Sequence, residues 1–316
     1  MTRAVPKTPP SPKALPARPR IGLALGSGGA RGWAHVGVLR ALDAAGVRPD
    51  VVAGTSIGAL IAGVHLAGHL PILEAWARRL TRPRLLAYLD PRMSGGGLIG
   101  GRRMLAFMAR YFGDVMVEDL PVPFIAVATD LQTGHEVWLQ EGRLAETLRT
   151  AISLPGVFTP VRREREWLVD GALVNPVPVS VCRAFGADLV IAVNLNADQL
   201  GRLRIAGGRR SRVAALEPDL VEQSRALKGR SGTMWQLARR ERNTPSLFSV
   251  MVAALNITQD RITRARLAGD PPDVTIRPDL GHIGLLEFDR AAEAIAAGER
   301  AAAGAVAELQ ALLAGS

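Results

Sequence analysis

The chain has 316 residues, of which 48% are hydrophobic and 22% charged, with a formal net charge of +10 at pH 7. That is enough for one large core or two modest ones, and α/β folds often reach this length as one domain, which is the organisation expected here. Cys182 is the only cysteine, which excludes an intrachain disulfide and allows a reducing compartment. The positive charge raises nucleic acid as a partner, but only 4% of residues are aromatic and no nucleic-acid module is present.

Residues 1–20 carry Arg3, Lys7, Lys13, Arg18 and Arg20 without an acid, hold many prolines and lack an apolar h-region. They read as a disordered basic arm and not as a secretory signal. Ile21 to Leu25 is a short apolar strand running into Gly26-Ser27-Gly28-Gly29-Ala30-Arg31-Gly32, with a helix from about Trp33 to Ala45. Glycines let successive N–H groups face one space at a helix N-terminus, so this loop suits a phosphate or a developing oxyanion. Arg31 takes the place where a dinucleotide loop needs its third glycine, and the Gly-Lys-Ser/Thr of a P-loop is absent. Nucleotide binding is therefore the weaker reading, beside that of a plain strand–helix turn.

A second strand over 50–54 ends in Gly54-Thr55-Ser56-Ile57-Gly58, and an apolar helix follows over 57–68. Ser56 thus stands on a sharp strand-to-helix turn, where an acyl-transfer nucleophile belongs. The longest apolar stretch, Ile57 to Leu66, is shorter than the roughly 20 residues that span a bilayer, so a cytoplasmic enzyme with only peripheral membrane contact is expected. His65 and His69 are four apart but lack the further ligands of a zinc site. The glycine-dense stretch Met93 to Arg103 reads as a loop that could border an acyl channel.

Strands follow at 123–129 and 167–169, each ending in an aspartate, Asp130 and Asp170, with a further strand at 188–194. Asp170, followed by Gly171 and Ala172, is the candidate base. Partial burial disfavours its charged form and so equips it to take a proton from a serine hydroxyl, although an ordinary Asp-Gly turn reads the same locally. Between 202 and 240, ten basic residues face Glu217, Asp219 and Glu222, a net of +7. The segment 200–245 reads as a mobile insertion that docks on anionic lipid, or as a solvated arginine-rich loop. A strand at 274–276 precedes His282, and an Ala-rich helix or helix pair covers about 286–313. His282 is the only histidine after both Ser56 and Asp170, so the Ser…Asp…His order of a triad stays open as the rival mechanism. The βα alternation implies an α/β fold with a mostly parallel sheet covered on both faces.

Together the glycine loop, the Ser56 elbow and Asp170-Gly171-Ala172 resemble the patatin-like phospholipase family in order, spacing and setting. The resemblance covers about 21–316 and looks closest to bacterial members related to neuropathy target esterase. Further segments that carry it are Ala126 to Gly134, Ser153 to Phe158, Asn175-Pro176-Val177-Pro178 and Pro271-Pro272-Asp273-Val274. It implies a three-layer α/β/α fold and a Ser–Asp dyad acting on acyl esters of phospholipids or lysophospholipids, with no metal and no organic cofactor. Ser56 would be the nucleophile, Asp170 the base, and the N–H groups around Gly28, Gly29 and Ala30 the oxyanion hole. Gly26, Arg31 and Gly32 would support that loop, Arg31 orienting it or meeting an anionic head group, and Gly54 and Gly58 would shape the elbow. It makes Asp130 structural, a turn residue bonding backbone, and argues against a catalytic His282. A regulatory protein that kept the fold without turnover is the remaining alternative class.

Overall fold

A computed structural model describes residues 18–81, 83, 97–99, 103, 106, 110, 111, 113–197 and 247–314. The arm before residue 18, the segment 200–245 and most of the stretch 93–103 lie outside the described residues. In chain order the elements are β1 (Ile21–Leu25), α1 (Ala34–Ala44), β2 (Val51–Thr55), α2 (Ile57–Leu66), α3 (Leu70–Arg78), β3 (Gly97–Ile99), β4 (Phe124–Asp130), β5 (Glu136–Leu139) and α4 (Leu144–Ala151). There follow β6 (Gly156–Phe158), β7 (Val161–Arg163), β8 (Glu166–Asp170), α5 (Val179–Ala184), β9 (Leu189–Val193), α6 (Leu247–Gly269), β10 (Val274–Ile276) and α7 (Ala291–Ala314).

β1, β2 and β9 are continuous runs of buried small and branched apolar residues, the pattern of strands covered on both faces. With β10 and β4 they form a parallel sheet in the order β10-β9-β1-β2-β4. On one face, Leu23, Leu25 and Val52 pack against Leu39 of α1, Ile61 of α2 and Ile295 of α7. On the other, Ala24, Ala53 and Val127 meet Val179 and Val181 of α5, with Leu267 of α6 packed alongside. The result is the expected three-layer α/β/α arrangement.

Three antiparallel strands complete the sheet, and one of them brings the candidate site together. Val52 to Thr55 of β2 pair with Phe124 to Val127 of β4, and β5 pairs with Ala126 to Thr129 of β4. The overlap puts β2 and β5 on opposite edges of β4. β8 pairs with Ala128 to Asp130, which overlaps β5, so β8 must share the edge used by β2. β2 and β8 therefore meet end to end from opposite directions, and Ser56 and Asp170 stand at the junction.

The chain from 286 onward is a 3-10 turn, Phe288–Arg290, followed by the single helix α7. α7 crosses α1 closely enough that a Cβ on Gly37 would be 2.0 Å from the Ile295 oxygen, and one on Gly298 2.0 Å from that of Ala34. α6 escapes sequence periodicity because its apolar stripe is interrupted: Gln259 and Thr263 are buried while Val250 and Ile257 are exposed. No helix among the described residues is long and apolar enough to cross a membrane.

Candidate active site

Ser56 joins β2 to α2 with φ 56° and ψ −126°, a strained backbone for a residue with a side chain. The bend needs bare backbone beside it. A Cβ on Gly54 would be 2.5 Å from Cα of Ala59, and one on Gly58 would be 2.2 Å from the Leu25 oxygen. Thr55 anchors the elbow from below, its hydroxyl donating to the Asn175 carbonyl at 2.8 Å. Ser56 itself is half-buried, and its hydroxyl donates to Oδ2 of Asp170 at 2.5 Å.

Asp170 is fully buried. Its Oδ1 accepts the Ala172 N–H at 2.8 Å, its own N–H donates to the Ser153 carbonyl at 3.0 Å, and its carbonyl accepts the Thr129 hydroxyl at 3.0 Å. Burial pushes its pKa up to about 7, with the bonds from Ser56 and Ala172 pulling the other way. The folded pKa thus lies above the unfolded value, so this group stabilises the fold below about pH 4 and loses that contribution as pH rises towards 7. The change is worth about 4 kcal/mol. Asp170→Asn should remove this pH dependence, making the variant gain on wild type in urea denaturation at pH 8 compared with pH 4; a constant difference between the two proteins would mean that Asp170 titrates normally.

The glycine loop lies over the junction. Gly29 adopts φ 56°, and a Cβ there would be 2.5 Å from the Leu285 oxygen. Gly32 lies against the elbow helix so closely that a Cβ would fall 2.1 Å from Cγ1 of Ile57. Gly26 donates to Val193 at 3.0 Å, and its carbonyl accepts from Nε2 of His35 at 2.7 Å. His35 is buried, which lowers its pKa to about 4, so it is neutral and holds the loop.

Two sequence expectations for the loop change. The Ala30 N–H already donates to the Leu285 carbonyl at 2.8 Å, so Ala30 leaves the donor set. Among the described residues the N–H groups of Gly28 and Gly29 donate to no acceptor. Arg31 is 1% exposed and bonds Asn196 and Asn256, so it does not face a head group. Residues missed in the sequence, Asn196, Asn256, Gln259 and Leu285, lie far along the chain from the loop they hold, and no local motif announces them.

Asp130 caps its own turn, accepting from the Gln132 N–H at 3.0 Å and the Thr133 hydroxyl at 2.5 Å. His282 Nε2 pairs with Oε1 of Glu293 at 2.6 Å. Ser56 bonds Asp170 directly with no imidazole between them, while the ring of His282 is engaged by Glu293. His65 lies 3.9 Å from Asp43. No group of three or more His, Cys, Asp or Glu among the described residues could hold a metal ion.

The family model described as Patatin-like phospholipase matches residues 23–183. An uncharacterised NTE family protein of Mycobacterium tuberculosis is 35% identical over 334 aligned residues, covering 92% of this chain and 93% of that one. The neuropathy target esterase sws of Drosophila melanogaster is 33% identical over 182 residues, 55% of this chain and 13% of that protein. Patatin-like phospholipase domain-containing protein 6 of Mus musculus is similar to the same extent. With the glycine loop, the elbow and Asp170 all inside the matched span, and a relative aligned along nearly the whole of both chains, this protein belongs to the patatin-like phospholipase family.

Proposed function

We propose that the protein is a serine lipid acyl hydrolase, a carboxylic ester hydrolase of the phospholipase or lysophospholipase type, working through a Ser56–Asp170 dyad. The observation that carries this is the 2.5 Å bond from the strained Ser56 hydroxyl to the buried Asp170 carboxylate. Ionised Asp170 takes the hydroxyl proton as Ser56 Oγ attacks the ester carbonyl. The tetrahedral oxyanion accepts from the Gly28 and Gly29 N–H groups, each donor worth about 3 to 4 kcal/mol of the barrier. As the bond to the alcohol breaks, Asp170 returns the proton to the leaving oxygen. Water then attacks the acyl-enzyme, gives its proton to Asp170, and the second tetrahedral species collapses to free acid and restored Ser56.

The working unit is one hydrolase domain over 21–316. On this reading the basic segment 200–245 makes peripheral contact with an anionic lipid surface at about 1 kcal/mol per charge near the membrane, and a cytoplasmic enzyme at the inner face of the membrane is the location that goes with it.

The test is hydrolysis of a medium-chain p-nitrophenyl ester and of a lysophospholipid by wild type and His282→Ala. Both proteins should cleave both substrates, with kcat within about twofold of each other. A His282→Ala variant that is folded and inactive would establish a triad instead, and an inert wild type would leave the non-catalytic reading.

A further inference from the structure

The loop that carries the Gly28 and Gly29 donors is fastened at both ends by side-chain amides. At its start, the Ser27 hydroxyl donates to Oε1 of Gln259 at 3.3 Å, and the Ser27 carbonyl accepts from Nδ2 of Asn196 at 3.2 Å. At its end, Arg31 donates from Nη1 to Oδ1 of Asn196 at 2.9 Å and from Nη2 to Oδ1 of Asn256 at 3.2 Å. Asn196 thus ties the two ends together. The amide of Asn256 is oriented by its own helix, because Nδ2 donates to the Val252 carbonyl at 3.0 Å and turns Oδ1 towards Arg31.

These partners are neutral, and that has an electrostatic consequence. Arg31 is 1% exposed, its Nε has no partner, and among the described residues its guanidinium bonds the two amides and no carboxylate. Burial lowers its pKa only to about 10, so it is charged at neutral pH. The other titratable groups around the loop are His35, which is neutral, and Asp170. On α6 the buried Asp260 is paired with Arg264 at 2.9 Å. A buried cation with amide partners keeps its field, whereas a carboxylate partner would cancel it in a medium where charges act strongly over several ångströms.

We infer that Asn196, Asn256 and Gln259 are positioning residues of the oxyanion loop, and that Asn196 and Asn256 hold Arg31 without neutralising it, leaving its charge behind the Gly28 and Gly29 donors. The inference rests on the acyl-hydrolase reading above. Oxyanion formation puts a negative charge where this preorganised field acts, so the amides influence the chemical step without touching the substrate.

The test compares wild type, Asn256→Ala, Asn256→Asp and Asn196→Asp on the p-nitrophenyl ester, beside Ser56→Ala and with thermal unfolding of each protein. Asn256→Asp gives up the Nδ2 bond to Val252 but offers two equivalent oxygens to Arg31, so the clamp on Arg31 survives it and only the charge of the partner changes. The expected result is a kcat about tenfold below wild type with KM within about twofold. The acid limb of its pH–rate profile should also move to higher pH, because a new carboxylate disfavours ionisation of Asp170. Asn256→Ala should lower kcat without moving that limb. If Asn256→Asp fails to fold, Asn196→Asp reads the shift of the acid limb from the other partner; its kcat also carries the loss of the Nδ2 bond to the Ser27 carbonyl, so the limb is the deciding quantity there. Wild-type kcat and an unmoved limb in a folded Asp variant, with Ser56→Ala inactive, overturn this inference alone; an active Ser56→Ala overturns the dyad and the inference with it.

Discussion

Ser56→Ala and Asp170→Asn are each expected to lower kcat by a factor on the order of 10⁴ while the protein stays folded. The two side chains share one 2.5 Å bond, so neither works without the other, and the double variant should be little worse than either single one. Asp170→Asn keeps the shape but cannot accept the serine proton. Only the ionised carboxylate is a base, so wild-type kcat/KM should fall as pH drops through about 7, the value to which burial raises Asp170. The measurements are steady-state kinetics from pH 5 to 9 and thermal unfolding of each variant. A folded Asp170→Asn protein that kept about a tenth of wild-type kcat would remove Asp170 from the chemistry.

Gly37→Ala and Gly298→Ala should each destabilise the fold by about 3 kcal/mol, despite alanine's advantage of about 1 kcal/mol over glycine inside a helix. Propensity loses here because the added methyl would lie 2.0 Å from a backbone oxygen of the facing helix, Ile295 in one case and Ala34 in the other. Neither backbone can withdraw without opening the layer that covers β1. Gly304 supplies the control: it lies in α7 with nothing within 4 Å of an added Cβ, and Gly304→Ala should stabilise by about 1 kcal/mol. Urea unfolding of the three variants measures both effects. Equal behaviour of Gly298→Ala and Gly304→Ala would mean that α1 and α7 are not in contact at the glycines.

The parallel strands were legible because each is a run of buried apolar residues whose identity declares burial on both faces. Helix α6 was not, because polar Gln259, Asp260 and Thr263 are among its buried residues while apolar Val250 and Ile257 are exposed, which blurs the apolar stripe. The short strands β5 and β7 offer four and three residues, too few for an alternating pattern to stand out, and β7 is two-thirds arginine. The core packing of β8 likewise leaves no trace in Glu166 and Trp167, which stay exposed at its start.

Local chemistry alone determined the strand–turn–helix at Ser56 and the glycine loop before α1, since sharp turns and close backbone approach demand small residues at fixed neighbouring positions. Tertiary structure decided which groups those turns leave available. The antiparallel entry of β8 on the edge of β4 that carries β2 brings Asp170 to Ser56 across 114 positions of sequence. The docking of Leu285 takes the Ala30 N–H out of the donor set, and Asn196 and Asn256 claim Arg31. A hydrogen-bond partner is chosen by proximity in space, and proximity between distant segments depends on sheet order and packing, which no short stretch of sequence encodes.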